Sequence, residues 1–177
     1  TPLTWSTLIP TGFISSSDVV SGAENVLLSF PTGAIQRSID GGLNWTTQTT
    51  PLIGTASYRA AACGPDGVWI AIFYESPTYR YLRSTDNGLT WVLLAGVPSI
   101  FPNGIAVDNK GQWIAAGGSS SRTAVRSTDN GLTWATLTAA TGGTTEIVSI
   151  ATDGRGTWVG TTSLAMHTRY DDGVSWA

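Results

Sequence analysis

Charge is scarce in this sequence: 12% of its 177 residues are Asp, Glu, Lys or Arg, and nine basic against twelve acidic side chains leave a net charge of −3. A coiled coil, a helix bundle with a charged surface and a basic nucleic-acid binder are excluded, since none can be built without its ion pairs or phosphate footprint. The single cysteine, Cys63, cannot close an intrachain disulfide, and with one histidine, His167, no Cys- or His-rich metal site is expected. No apolar run reaches the roughly 18 residues of a membrane-spanning helix, and no charged-then-apolar leader opens the chain. Helical spacing of apolar residues is not sustained anywhere, and Ala60-Ala61-Ala62 is short and followed by Gly64-Pro65. No cofactor, nucleic acid or membrane partner is expected. Thr1 stands where an initiator Met would, which suggests a trimmed chain and leaves the compartment open between secreted, phage-associated and cell-surface.

What is abundant is Gly, with 21 copies, Trp, with eight, and Ser and Thr, alongside 41% hydrophobic residues, enough for the core of one domain over residues 1–177. The tryptophans are periodic. Arg37-Ser38-Ile39-Asp40-Gly41-Gly42-Leu43-Asn44-Trp45 recurs as Arg83-Ser84-Thr85-Asp86-Asn87-Gly88-Leu89-Thr90-Trp91 and as Arg126-Ser127-Thr128-Asp129-Asn130-Gly131-Leu132-Thr133-Trp134. A fourth copy keeps Asp171, Gly173 and Trp176, and Leu3-Thr4-Trp5 matches the tail of a fifth. The Trp residues that end this word, Trp5, Trp45, Trp91, Trp134 and Trp176, are 40, 46, 43 and 42 apart, a spacing in the range of four-stranded blades. The repeats run approximately over 5–45, 46–91, 92–134 and 135–176.

A second word recurs half a period away: Asp66-Gly67-Val68-Trp69-Ile70-Ala71, Lys110-Gly111-Gln112-Trp113-Ile114-Ala115 and Arg155-Gly156-Thr157-Trp158-Val159-Gly160. The first repeat answers with Glu24-Asn25-Val26-Leu27-Leu28 and lacks the Trp. Between these anchors each period parses into β-rich runs bounded by Gly, Pro, Asn and Asp. In the last unit the runs are Ile147 to Ala151, Trp158 to Thr162 and Ala165 to Arg169. The expected fold class is all-β, built of four-stranded antiparallel meanders.

In S-x-D-x-G-x-x-W the Asp carboxylate is expected to accept backbone N–H groups one and two residues on, and Gly to supply the positive φ that closes the turn. This word resembles the Asp-box, or BNR repeat, of sialidase-like β-propellers. The resemblance implies a propeller in which the innermost strand comes first and the Asp-box joins the third strand to the fourth. It implies no single activity, since such repeats also occur in xyloglucanases, sortilin-like receptors, photosystem assembly factors and carbohydrate-binding propellers. Asp40, Gly42, Trp45, Asp86, Gly88, Trp91, Asp129, Gly131, Trp134, Asp171, Gly173 and Trp176 are read as structural, not catalytic. A sialidase reading also implies an Arg-Ile-Pro word before the first box, which is missing. Arg37, Arg83 and Arg126 recur with the repeat and are read as blade surface.

With this phase the chain opens on a fourth strand, Thr4 to Ile9, and ends as the last outer strand should begin. The N-terminal strand is therefore expected to complete the last blade, giving four blades per chain. Three geometries stay open: closure in cis, exchange between two chains to make an eight-bladed homodimer, favoured here, or a segment of a longer propeller.

Meander topology sends the Asp-boxes and the Gly turns to one rim and the variable loops to the other, where function is usually placed. The second repeat is longest, and its excess includes Tyr74, Glu75 and Tyr79. Tyr58, Phe101 and Arg122 are expected on the same face, where aromatic planes beside a carboxylate and a guanidinium would bind a saccharide without hydrolysing it. Glu75 and Glu146 read otherwise as solvated loop carboxylates, Cys63 as a buried small hydrophobe and His167 as a strand residue. The expected function is a non-catalytic, lectin-like propeller; the alternatives are a structural or protein-interaction propeller and a glycoside hydrolase fragment.

Overall fold

The structure, a computed structural model, describes residues 10–16, 18–118, 123–137 and 145–162, and the backbone of 166–169. These form fifteen strands in four antiparallel sheets, each a meander in sequence order. The first holds β1 (Val19–Ser21), β2 (Leu27–Ser29), β3 (Ile35–Ser38) and β4 (Thr46–Gln48). The second holds β5 (Ser57–Cys63), β6 (Trp69–Glu75), β7 (Thr78–Ser84) and β8 (Val92–Leu93), and the third β9 (Pro102–Val107), β10 (Trp113–Gly117), β11 (Thr123–Ser127) and β12 (Ala135–Leu137). The fourth has three described strands, β13 (Ile147–Thr152), β14 (Trp158–Thr162) and β15 (Met166–Arg169). His167 lies on β15 opposite Gly160. The expected N-terminal strand and the Asp171-Gly173-Trp176 turn lie outside the described residues, as does Arg122.

The second strands of the second and third sheets, β6 and β10, carry apolar side chains on both faces, because these two sheets are sandwiched between neighbours. Along β6, Trp69, Ala71 and Phe73 pack with Val26, Leu28, Phe30 and Ile35 of the first sheet. The alternate residues Ile70 and Ile72 pack the other way, with Ile105, Trp113, Ala115 and Val125 of the third. β10 repeats the pattern: Ile114 and Ala116 meet Ile147, Ile150 and Trp158 of the fourth. Period-2 alternation thus directs every second residue of one strand into a different interface. Cys63, expected to be buried, is half-buried at the end of β5, where its thiol reaches the Gly64 carbonyl at 3.3 Å.

The seams between sheets are fastened at the S-x-D-x-G-x-x-W turns. Asn87 and Asn130, each following the turn Asp, have left-handed backbones with φ of 56° and 58°. The buried Trp69 indole donates to Asn87 Oδ1 at 3.1 Å, and Trp113 to Asn130 Oδ1 at 3.2 Å. Each Asn amide then donates to the β-turn of the preceding sheet, Asn87 to the Ala23 carbonyl and Asn130 to Asp66 Oδ2. Each Asn carbonyl accepts a guanidinium from that same preceding sheet, Arg37 at 2.9 Å and Arg83 at 3.0 Å. In the first repeat Gly41 replaces the Asn and Leu27 replaces the Trp, so both partners of the pair are lost together.

Within the turn the bonding differs from the expectation. Asp40 Oδ1 accepts the N–H groups of Leu43 and Asn44, three and four residues on, while Ser38 Oγ accepts the N–H of Gly42 at 2.9 Å. Asp129 repeats this with Leu132 and Thr133, and Asp86 accepts from Thr90. The turn Trp indole donates to the Gly carbonyl, 2.8 Å from Trp45 to Gly42 and 3.1 Å in the other two copies. The Gly residues have φ of 90°, 82° and 77°, as the sequence requires.

Two stability predictions come from these turns. Replacing Asn130 by Ala should cost about 1–3 kcal/mol, through an unpartnered Trp113 indole and a strained φ, and Asn130→Gly should recover only the backbone share; urea denaturation measures both. Acid should also act through the turns. The Asn44 amide and backbone bonds hold Asp40 near pKa 2, and Asp129, against the pull of burial, is held there by Thr133, Ser127 and Leu132, both down from 3.8. Their folded-state values are depressed, so this stability is complete above about pH 4 and lost as pH falls toward 2. Asp129→Asn should flatten the fall in a pH series of thermal melts.

Candidate binding site

The rim opposite the Asp/Gly/Trp turns carries the β6–β7 hairpin and the links between sheets. The residues 73–79, expected as a loop, are instead strand: β6 and β7 run on to a two-residue turn at Ser76-Pro77, so Tyr74 lies opposite Tyr79 and Glu75 opposite Thr78. Strand parity then divides the expected site residues between two faces.

Tyr74, Tyr79 and Phe101 come together. The Tyr74 and Tyr79 rings are 5.0 Å apart and the Tyr79 and Phe101 rings 5.4 Å, in tilted and edge-on geometries. Over them lies a side chain the sequence reading did not assign to the site. The Arg59 guanidinium sits 5.4 Å from the Tyr74 ring centre and 5.2 Å from that of Phe101. Its Nε is buried and has no hydrogen-bond partner among the described residues. Burial pushes the Tyr79 phenol above its ordinary pKa, with the Arg59 charge working against it.

Arg59 reaches this place because it is a β-bulge. Tyr58 pairs with Phe73 and Ala60 with Ile72, so Arg59 is the extra residue between them. The same irregularity recurs in β9 at Asn103 and in β13 at Val148. Bulges re-aim side chains at strand ends, and here they do so at one level of three adjacent inner strands. Asn103 uses its amide to bond the Ile147 carbonyl at 2.9 Å, and Val148 is exposed. The available sequence signal was a lone Arg in the otherwise uncharged run Ser57-Tyr58-Arg59-Ala60-Ala61-Ala62-Cys63.

Two expected members belong elsewhere. Tyr58 lies toward the first sheet, stacked on Phe30 at 4.5 Å with its hydroxyl donating to Asp18 Oδ2 at 3.1 Å. Burial and then the Asp18 carboxylate push its phenol far up. Glu75 is not a solvated loop carboxylate: it is 8% exposed and accepts the Ile53 N–H at 2.9 Å and Arg80 Nε at 2.7 Å. The Ile53 bond, with Arg80, holds its carboxyl below the usual value. It fastens the link between the first two sheets to the hairpin. Glu75→Gln should therefore lower stability, not abolish a chemical step, by about 1–2 kcal/mol in urea denaturation.

Among solved structures, an ancestral GH74 enzyme matches with a TM-score of 0.73 at 18% identity, over 99% of this chain and 25% of that one. YCF48 from Cyanidioschyzon merolae matches at 0.67 and 16% identity, over 98% of this chain and 62% of that one. YCF48 bound to a D1 peptide matches at 0.62 and 15%, over 96% and 60%. The chain thus spans under two thirds of each. These neighbours are β-propellers, and with its four successive antiparallel meanders this chain has the β-propeller fold. No protein-family profile matches the chain, and no curated protein does.

Proposed function

We propose that this chain is a non-catalytic binding propeller and that its ligand is a polypeptide, taken on the rim of the second blade. The observation that carries the reading is the meeting of Arg59 with Tyr74, Tyr79 and Phe101, while the neighbouring carboxylate, Glu75, is spent on Ile53 and Arg80. A cation set among aromatic rings is the composition of protein-recognition surfaces. The saccharide reading expected from the sequence used Tyr58 and Glu75, which the sheet directs to its other face, and a sugar stacks on an open ring face. Here the Tyr74 and Phe101 rings lie beside Arg59 and against Tyr79. The peptide complex of YCF48 supports a peptide ligand on this fold. The GH74 neighbours keep a hydrolase as the contrary outcome.

Saturation-transfer NMR against peptide and oligosaccharide panels separates the readings. Peptide signals with affinities of roughly micromolar, weakened about tenfold by Arg59→Ala or Tyr79→Ala, are expected. Signals from saccharides alone, or release of reducing sugar, would overturn the proposal.

Self-association belongs to the same proposal. No buried cluster among the described residues joins the fourth sheet to the first. The outer face of the first sheet is lined instead by residues 11–14: Gln36 donates to the Gly12 carbonyl at 2.7 Å and accepts the Ile14 N–H at 2.8 Å, with Phe13 edge-on to Trp45. A second copy would supply the missing neighbours and make eight blades. Sedimentation equilibrium should give twice the 18.5 kDa chain mass; a monomer at micromolar concentration would contradict it.

A further inference from the structure

The second blade differs from its neighbours at its outer edge. In the first sheet β4 covers β3 as far as Ile35, and in the third β12 covers β11 as far as Ala124. In the second, β7 has seven residues and β8 two, pairing only with Leu82 and Arg83. Leu94 extends the ladder by one bond, its N–H donating to the Tyr81 carbonyl at 2.8 Å. Two residues on, Gly96 would face Tyr79, but its φ of 70° turns the chain away. Hydrogen-bonding direction alternates along a strand, so Tyr79, like Tyr81, directs its N–H and C=O outward. No backbone bond among the described residues outside the strand ladders reaches them.

This open edge borders a groove of about 340 Å³. Tyr79 and Arg80 form one wall, and Leu93, Val97 and Ser99 line the side where an outer strand would continue. Leu93 is 41% exposed, and the lining contains no acidic residue. Arg80 binds Glu75 through Nε while its side chain stays 40% exposed, so its terminal guanidinium N–H groups remain for a second carboxylate.

On the reading that the ligand is a polypeptide, we infer that it is an acidic, apolar-alternating segment that adds as an outer strand to Thr78–Arg80. Its backbone pairs with Tyr79, one face places apolar side chains on Tyr79 and Val97, and on the other face, shared by Leu93, an acidic side chain meets Arg80. Unpaired edges recruit extended peptides in this way, and native proteins otherwise cover them. At about 3.4 Å per residue the free edge spans roughly 10 Å, the length of a short strand.

The test uses the full chain and fluorescent octapeptides. A Glu/Val alternating peptide is compared with its Lys/Val counterpart and with two N-methylated versions, each methylated at alternate residues in one of the two phases. A strand bound by one edge directs only half of its N–H groups to the protein. One methylated phase should therefore lose at least tenfold in anisotropy-measured affinity and the other keep it. The Lys/Val peptide should bind at least tenfold more weakly, and bound peptide should slow Tyr79 amide exchange at least tenfold. Equal affinity of both methylated phases, or unchanged Tyr79 exchange on binding, would overturn strand addition and leave the peptide reading intact. Binding by none of the peptides, with saccharide signals in the panel above, would overturn the peptide reading itself.

Discussion

Asn87 and Asn130 each stand where three pieces of chain would otherwise leave polar groups stranded. A Trp indole buried in the sheet needs an acceptor, the β-turn of the preceding sheet needs a fastening, and the Arg of that sheet needs a carbonyl. One side chain and one carbonyl, held by a left-handed backbone, meet all three needs. An indole N–H left unpaired in such a place would cost about 1–3 kcal/mol, a cost the turn acceptor removes for Trp69 and Trp113, whereas the equally buried Trp158 indole has no partner among the described residues. The paired loss of Trp and Asn in the first repeat, where Leu27 and Gly41 stand, agrees with that pairing.

The consequence is a molecule with two unlike rims. On one, the turn carboxylates, indoles and guanidinium groups are bonded within or between sheets. On the other, inner strands bulge at Arg59, Asn103 and Val148, and the longest hairpin extends beyond its outer strand. The repeated rim holds the sheets in register, and the irregular rim is left free to differ from blade to blade. The proposed ligand surface and the open β7 edge are both products of that irregularity.

What could be read in the sequence follows the same division. The period, the four meanders and the turn glycines were legible because each repeat solves the same packing problem with the same residues at the same spacing. The irregular rim was not. A single bulge at Arg59 changes strand parity between Tyr58 and Ala60, so counting alternate residues assigns Tyr58 to the wrong face. Glu75 looked like a loop residue because Ser76-Pro77 suggests a long turn, whereas the strands continue to that dipeptide and bury the carboxylate. The reach of Asp40 to the third and fourth N–H groups depends on Ser38 capturing the Gly42 N–H first, a competition that spacing does not display.

The claim that one rim is committed to structure and the other to binding is tested most directly by mapping amide shifts on the full chain during titration with the Glu/Val octapeptide. The account predicts changes at Arg59, Tyr74, Tyr79, Leu93 and Phe101, with Asn87, Asn130 and the turns around them unmoved. Changes centred on the Asp/Gly/Trp turns, with the second-blade hairpin silent, would contradict it.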